Sequence, residues 1–148
     1  MNSLTPLPPM DPSTTLTAAQ RENLNRLVGI PFVKNGVDAS RDGGLDCYGV
    51  VRAAAVVFGV MLPADSAACF ALTPAAFSRV EPAANDWREG DVIVLDRSPQ
   101  HMGIVVEVGG GGSFAGVLHA LRGGKSAIMN VETFLGLAKR WAKYRKSA

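Results

Sequence analysis

Gly43-Gly44-Leu45-Asp46-Cys47-Tyr48-Gly49-Val50-Val51 is the stretch on which the reading of this chain turns. Glycines give way there to an apolar run that reaches Phe58, interrupted only by Arg52, before Gly59 closes it and Pro63 blocks its resumption. The pattern predicts a helix over Cys47 to Phe58, buried nearly all round and central to the fold, with Asp46 as its N-cap. A helix start gathers unpaired backbone N–H groups and the positive end of the helix dipole, which favour an anion. A thiol placed there is expected to ionise more readily than one in water, from about 8.5 down to roughly 3.5–7.5. Cys47 therefore reads as a nucleophile.

Upstream, residues 1–16 are rich in Pro, Ser and Thr and read as an extended arm. Thr17 and Gln20 fit a capping box, and Leu24, Leu27 and Val28 carry a helix over Ala18 to Val28 that Gly29-Ile30-Pro31 stops. Lys34 to Gly44 reads as a polar loop. Downstream, Ala64 to Asn85 is alanine-rich, with Thr73-Pro74 as a short-helix start. From Trp87 the pattern changes to strands over Asp91 to Leu95, His101 to Val108, Gly116 to Leu121 and Lys125 to Val131. A short helix at Glu132 to Leu137 and a strand at Arg140 to Arg145 complete the chain. The run Gly109 to Gly112 has no Lys-Ser/Thr or helix after it, so it reads as a hairpin connection and not as a phosphate loop. Helices followed by antiparallel strands give an α+β fold, and 148 residues suit a single domain over 17–148.

Composition narrows the partners. A net charge of +2 is too small to imply nucleic acid. The basic residues that cluster at Lys139, Arg140, Lys143, Arg145 and Lys146 alternate with Trp141 and Tyr144, which reads as a solvated edge strand. No stretch approaches the ~20 apolar residues of a membrane helix. Met1 to Met10 has neither the basic region nor the apolar core of a signal peptide, so synthesis in the cytoplasm without export by the general secretory route is expected. Cys69, in Ser-Ala-Ala-Cys-Phe-Ala, sits in the apolar setting of an inert buried thiol, and a disulfide with Cys47 is not indicated.

The two histidines supply the rest of the chemistry. His101 and His119 both lie at ends of strand-like apolar stretches downstream of the cysteine. Thiol peptidases need this set: one imidazole takes the thiol proton, and a further polar group orients the imidazole. Taken singly, each of these residues is more often a buried or surface residue of no catalytic consequence. Their joint order favours catalysis. A zinc site is the weaker rival, because Cys47, His101 and His119 lack paired ligand spacing and offer only three donors. No metal and no cofactor is expected.

Gly29-Ile30-Pro31-Phe32, Leu45-Asp46-Cys47-Tyr48-Gly49-Val50-Val51, Gly90-Asp91-Val92, His101-Met102-Gly103-Ile104-Val105 and Leu118-His119-Ala120 occur in the order of the NlpC family of papain-like peptidases, which cleave bacterial cell-wall peptides. The chain resembles that family from Leu24 to Arg145. The Leu-Asp-Cys-aromatic-Gly variant is most similar to members from phage tails and gene-transfer particles. The resemblance implies a papain-like fold, with N-terminal helices and the nucleophile opening a central helix packed on a small antiparallel sheet. It makes Cys47 the nucleophile, His101 the base and His119 the orienting residue, with Asp46, Tyr48 and Phe32 at the substrate. Many relatives have Tyr at the position of Phe32 and Ser at that of Tyr48; Phe cannot donate a hydrogen bond. The implied substrate is a peptidoglycan stem peptide, cut between D-glutamate and diaminopimelate, and the implied partners are phage tail proteins within a virion. Two alternatives remain: a weakly active structural or assembly protein of the tail, and an acyltransferase using the same Cys–His chemistry.

Overall fold

The computed structural model describes residues 16–34, 36–38, 43–62, 76–83, 85–97, 100–108 and 114–147. The arm before Leu16, Cys69, the Thr73-Pro74 helix start and the Gly109 to Gly112 connection lie outside them. Among the described residues three helices, α1 (Ala18–Asn25), α2 (Cys47–Val57) and α3 (Val131–Leu135), accompany eight strands. Two short strands, β1 (Val37–Asp38) and β2 (Gly44–Leu45), pair antiparallel inside what the sequence presents as a loop. The other six are β3 (Phe77–Val80), β4 (Val92–Asp96), β5 (His101–Val108), β6 (Phe114–Ala120), β7 (Ser126–Asn130) and β8 (Arg140–Lys146). They form one antiparallel sheet in the order β3-β8-β4-β5-β6-β7. The fold is α+β, as expected.

Strand alternation divides the apolar residues between two faces. Val92, Val94, Met102, Ile104, Val106, Leu118 and Ala120 face α1 and α2 and build the larger core with Leu24, Leu27, Val50, Val51 and Ala54. Ile93, Leu95, Val105, Ala115 and Val117 face the other way, against Trp87, Val131 and Phe134. His101 and His119 stand on this second face, at the odd positions of the alternation.

α2 has the boundaries that its residues demand. Asp46 Oδ1 accepts the Gly49 N–H at 2.7 Å as N-cap. At the far end Gly59, at φ 81°, donates to Val56 O at 3.0 Å and Val60 donates to Ala55 O at 2.9 Å, a Schellman closure. Gly49 is required by proximity: a Cβ there would stand 2.6 Å from Gly36 O, 3.1 Å from Leu45 Cδ2 and 3.2 Å from Asp46 Oδ1. Gly49→Ala is expected to force the 36–45 segment away from α2 at a cost of about 1–3 kcal/mol, measured by chemical denaturation. An unchanged midpoint would mean that the segment yields freely.

α1 opens on the expected capping box, Gln20 N to Thr17 Oγ1 at 3.1 Å and Thr17 N to Gln20 Oε1 at 2.8 Å. It ends at Asn25 and not at Val28, because Ser126 draws the chain out: its hydroxyl donates to Leu27 O and accepts Ile30 N–H at 2.9 Å. Arg21 ties α1 to Glu89 (Nη2–Oε1 2.8 Å) and Glu107 (3.0 Å).

The basic final strand is not a solvated edge. β8 lies between β3 and β4, and Lys143 is fully buried. Its ammonium donates to Ala83 O at 2.7 Å and Asp86 O at 2.5 Å and sits 4.3 Å from the Trp87 ring centroid. Burial pushes the Lys143 pKa down, with Asp86 and Asp91 opposing that and Arg145 adding to it. Arg145 forks onto Asp91, Nε to Oδ1 and Nη2 to Oδ2, each 2.9 Å. Asp91 also accepts Arg88 N–H at 2.9 Å, so the Gly90-Asp91-Val92 motif is a structural clamp on β8.

Candidate active site

The site forms where the start of α2 meets the start of β5 and the end of β6. The register of β5 and β6 pairs Ile104 with Leu118. Continued by one residue it sets Gly103 across from His119 and leaves His101 diagonal to it on the same face. The rings meet there: His101 Nε2 lies 3.0 Å from His119 Nδ1. Phe134 closes over both, with ring centroids 5.6 Å from His101 and 5.0 Å from His119. Gly103 makes this possible, since a Cβ at that position would collide with Val117 Cγ1 and stand 3.1 Å from Phe134 Cζ.

Cys47 is half-buried and faces the same cleft, a cavity of about 280 Å³. Its lining comprises Cys47, His101 and His119 with Phe32, Arg97, Gln100, Arg122 and apolar side chains that include Met129 and Leu137. The backbone N–H groups of Met102, Tyr48 and Cys47 itself favour the thiolate form of this cysteine. Phe32 is held beside it by backbone bonds to both neighbouring segments, Phe32 N to Gly124 O at 2.9 Å and Leu45 N to Pro31 O at 3.1 Å.

The expected acidification of the thiol is overturned. The three N–H groups lower the Cys47 pKa, but burial and then the Asp46 carboxylate raise it more, and the net direction is upward. Burial also holds His101 down to about 4, assisted by His119, Arg97 and Arg122. His119 likewise falls to about 4 through burial and Arg97. At neutral pH the resting site is a neutral thiol beside two neutral imidazoles.

One N–H is shared between the two rings. If His101 Nε2 carries it, His101 Nδ1 is free to take a proton and His119 holds its own hydrogen on Nε2. That Nε2 is buried without a hydrogen-bond partner. The opposite arrangement puts a hydrogen on His101 Nδ1 and removes the base. Only the first arrangement can accept a proton from a thiol through Nδ1.

Two residues expected at the substrate are placed otherwise or have a further role. Tyr48 is 2% exposed and packs in the larger core, because one residue of helix rotation turns it away from the cleft. Asp46 serves as N-cap and does not line the cavity. Phe32 does line it, with the Arg122 guanidinium 5.8 Å from its ring centroid. Sequence reasoning missed Phe134, Arg97, Gln100 and Arg122, none of which belongs to a local motif. Among the described residues no group of three or more His, Cys, Asp or Glu side chains is arranged to hold a metal ion, and no helix is long and apolar enough to cross a membrane. In comparisons with known proteins, no family model matches the chain and no curated protein matches it.

Proposed function

We propose that the protein is a cysteine peptidase of the NlpC type that hydrolyses peptidoglycan stem peptides between D-glutamate and diaminopimelate, acting as a phage tail component that opens the host wall. The observation that carries the reading is a cleft lined both by a helix-start cysteine and by a histidine whose Nε2 is engaged by a second histidine. A thiol at the start of a helix packed on the sheet, sharing a cleft with an imidazole on a strand, resembles the papain-like arrangement, and the motif order in the sequence supports the family.

The chemistry follows from the atoms. Cys47 gives its proton to His101 Nδ1, and the thiolate attacks the peptide carbonyl carbon. His119 Nδ1 accepts from His101 Nε2–H and stabilises the imidazolium that forms. The oxyanion meets the Cys47 backbone N–H at the helix start, which is the donor available where Phe32 has none to offer. His101 then protonates the departing amine as the C–N bond breaks, leaving a thioester on Cys47. The same imidazole deprotonates a water that attacks the thioester, and the thiol is restored.

The proton must leave a thiol whose pKa is raised, so the thiolate exists only transiently. His101 must be unprotonated to begin, and its pKa of about 4 sets the acid limit. Activity, read as kcat/KM, is expected to persist at pH 5 and to fall as pH drops through about 4, not through the ordinary histidine value of 6.5. On the alkaline side it declines only above the ordinary thiol range. An acid limb near 6.5 would show that His101 is hydrated and not buried as described.

Digestion of purified peptidoglycan, with mass analysis of the released peptides, tests the reading directly. Release of fragments that begin with diaminopimelate supports it. Intact wall material after prolonged digestion overturns it and leaves a structural tail role.

A further inference from the structure

Two arginines border the cleft without an acid to answer them. Arg97 follows β4 and Arg122 follows β6; both are exposed, and they are the charged side chains of a lining that is otherwise neutral. Arg97 Nη1 reaches Leu137 O at 3.5 Å, a weak contact, and Arg122 stands over the Phe32 ring. Among the described residues neither has a carboxylate partner. Four arginines elsewhere are matched with carboxylates, Arg21 with Glu89 and Glu107, Arg26 with Glu22, Arg140 with Asp96 and Arg145 with Asp91, and Arg52 is bonded to Leu62 O. Both unmatched guanidiniums are close enough to the catalytic candidate to depress the His101 pKa.

We propose that Arg97 and Arg122 are specificity residues of this cleft, binding free carboxylates that the substrate peptide carries beside the scissile bond, so that acidic peptides are taken and their amidated counterparts rejected. The inference rests on the peptidase reading and adds to it the charge of the substrate and the residues that sense it. A guanidinium presents a planar fork of N–H donors that fits a carboxylate in two parallel bonds. A carboxamide offers one acceptor and turns an NH₂ group toward the same donors, losing both a bond and the charge. Phe32 supports the fork of Arg122 from beneath. The flanking positions of Arg97 and Arg122 suit a peptide with acids near the bond that Cys47 would attack.

The test separates binding from turnover. The Cys47→Ala protein is titrated calorimetrically with two synthetic peptides, γ-D-glutamyl-diaminopimelate with all carboxylates free and the same peptide with them amidated. The free acid is expected to bind roughly 10- to 100-fold more tightly, the range of charge-assisted hydrogen bonds. Added to that background, Arg97→Gln and Arg122→Gln should each narrow the preference, and the double change should erase it. Equal affinity for the two peptides, no binding of either, or a preference that survives the double change would overturn the assignment. Acid-selective binding without cleavage by the wild-type protein would sustain the arginines and sink the peptidase reading. Cleavage of both peptides at equal kcat/KM would do the reverse.

Discussion

Cys47→Ala is expected to reduce peptide release from peptidoglycan by at least about a thousandfold while the protein stays folded. Among the described residues that line the cleft, Cys47 carries the one thiol or hydroxyl able to form the covalent intermediate, and loss of a nucleophile that works as a unit with its base removes nearly all catalysis. The structural cost is small. Cys47 is half-buried at the first position of α2, only partly packed on the larger core, and its replacement leaves the Asp46 cap bond to Gly49 in place. Circular dichroism and a thermal melt close to wild type would separate the chemical loss from unfolding. Wild-type hydrolysis in this variant would exclude a Cys47 mechanism. Alkylation gives an independent check: its rate at Cys47 should climb into the alkaline range beyond that of an ordinary thiol, following the upward pKa.

The helix-start cysteine and the two histidines were legible because each depends on local pattern. The apolar run after Leu45-Asp46 is longer than a strand and opens on a capping aspartate, which marks a helix, and alternation over His101 to Val108 and Gly116 to Leu121 makes strands. The sign of the thiol shift was not legible. The helix start does supply N–H groups, but burial and the Asp46 charge come from the assembled fold and outweigh them. Tyr48 shows the same limit: adjacent in sequence to Cys47, it is turned into the core by helix geometry.

Sheet order was the larger omission. Arg140 to Lys146 reads as a strand from its alternation, yet nothing local says that it lies between β3 and β4. Phe77 to Val80 is a short strand inside the alanine-rich stretch Ala64 to Asn85, and it forms because β8 supplies its partner. Once β8 is interior, Lys143 needs acceptors, which the Ala83 and Asp86 carbonyls provide. A cation at that position is a consequence of chain topology, and periodicity alone assigns it to solvent. Arg97 and Gln100 reach the cleft in the same way from the β4–β5 connection and Arg122 from the β6–β7 connection, two segments that converge only in the folded chain.

Phe134→Ala carries the second large effect, because one ring serves both the smaller core and the histidine pair. Phe134 is fully buried on the five-residue helix α3, packed among Ile93, Leu95, Val105 and Val117, and it lies against both imidazoles. Deleting the ring is expected to cost about 3–5 kcal/mol in chemical denaturation, the usual loss for a buried Phe whose cavity cannot collapse. Collapse is opposed by the β5–β6 ladder, whose paired strands hold Val105 and Val117 in place. Activity should fall further than stability explains. With the ring gone, His101 and His119 are free to leave their 3.0 Å contact, and misplacing a catalytic base by about 1 Å costs on the order of a hundredfold. Water entering the vacated volume would also reach His119 Nε2, which is buried without a partner. Desolvation is the leading cause of the low His119 pKa, so that pKa should rise from about 4 toward 6.5, as read by an NMR titration of the ring protons. Phe134→Leu restores apolar volume and should recover much of the stability while recovering less of the activity. A loss below about 1 kcal/mol with wild-type turnover would mean that the ring neither fills the core nor positions the pair.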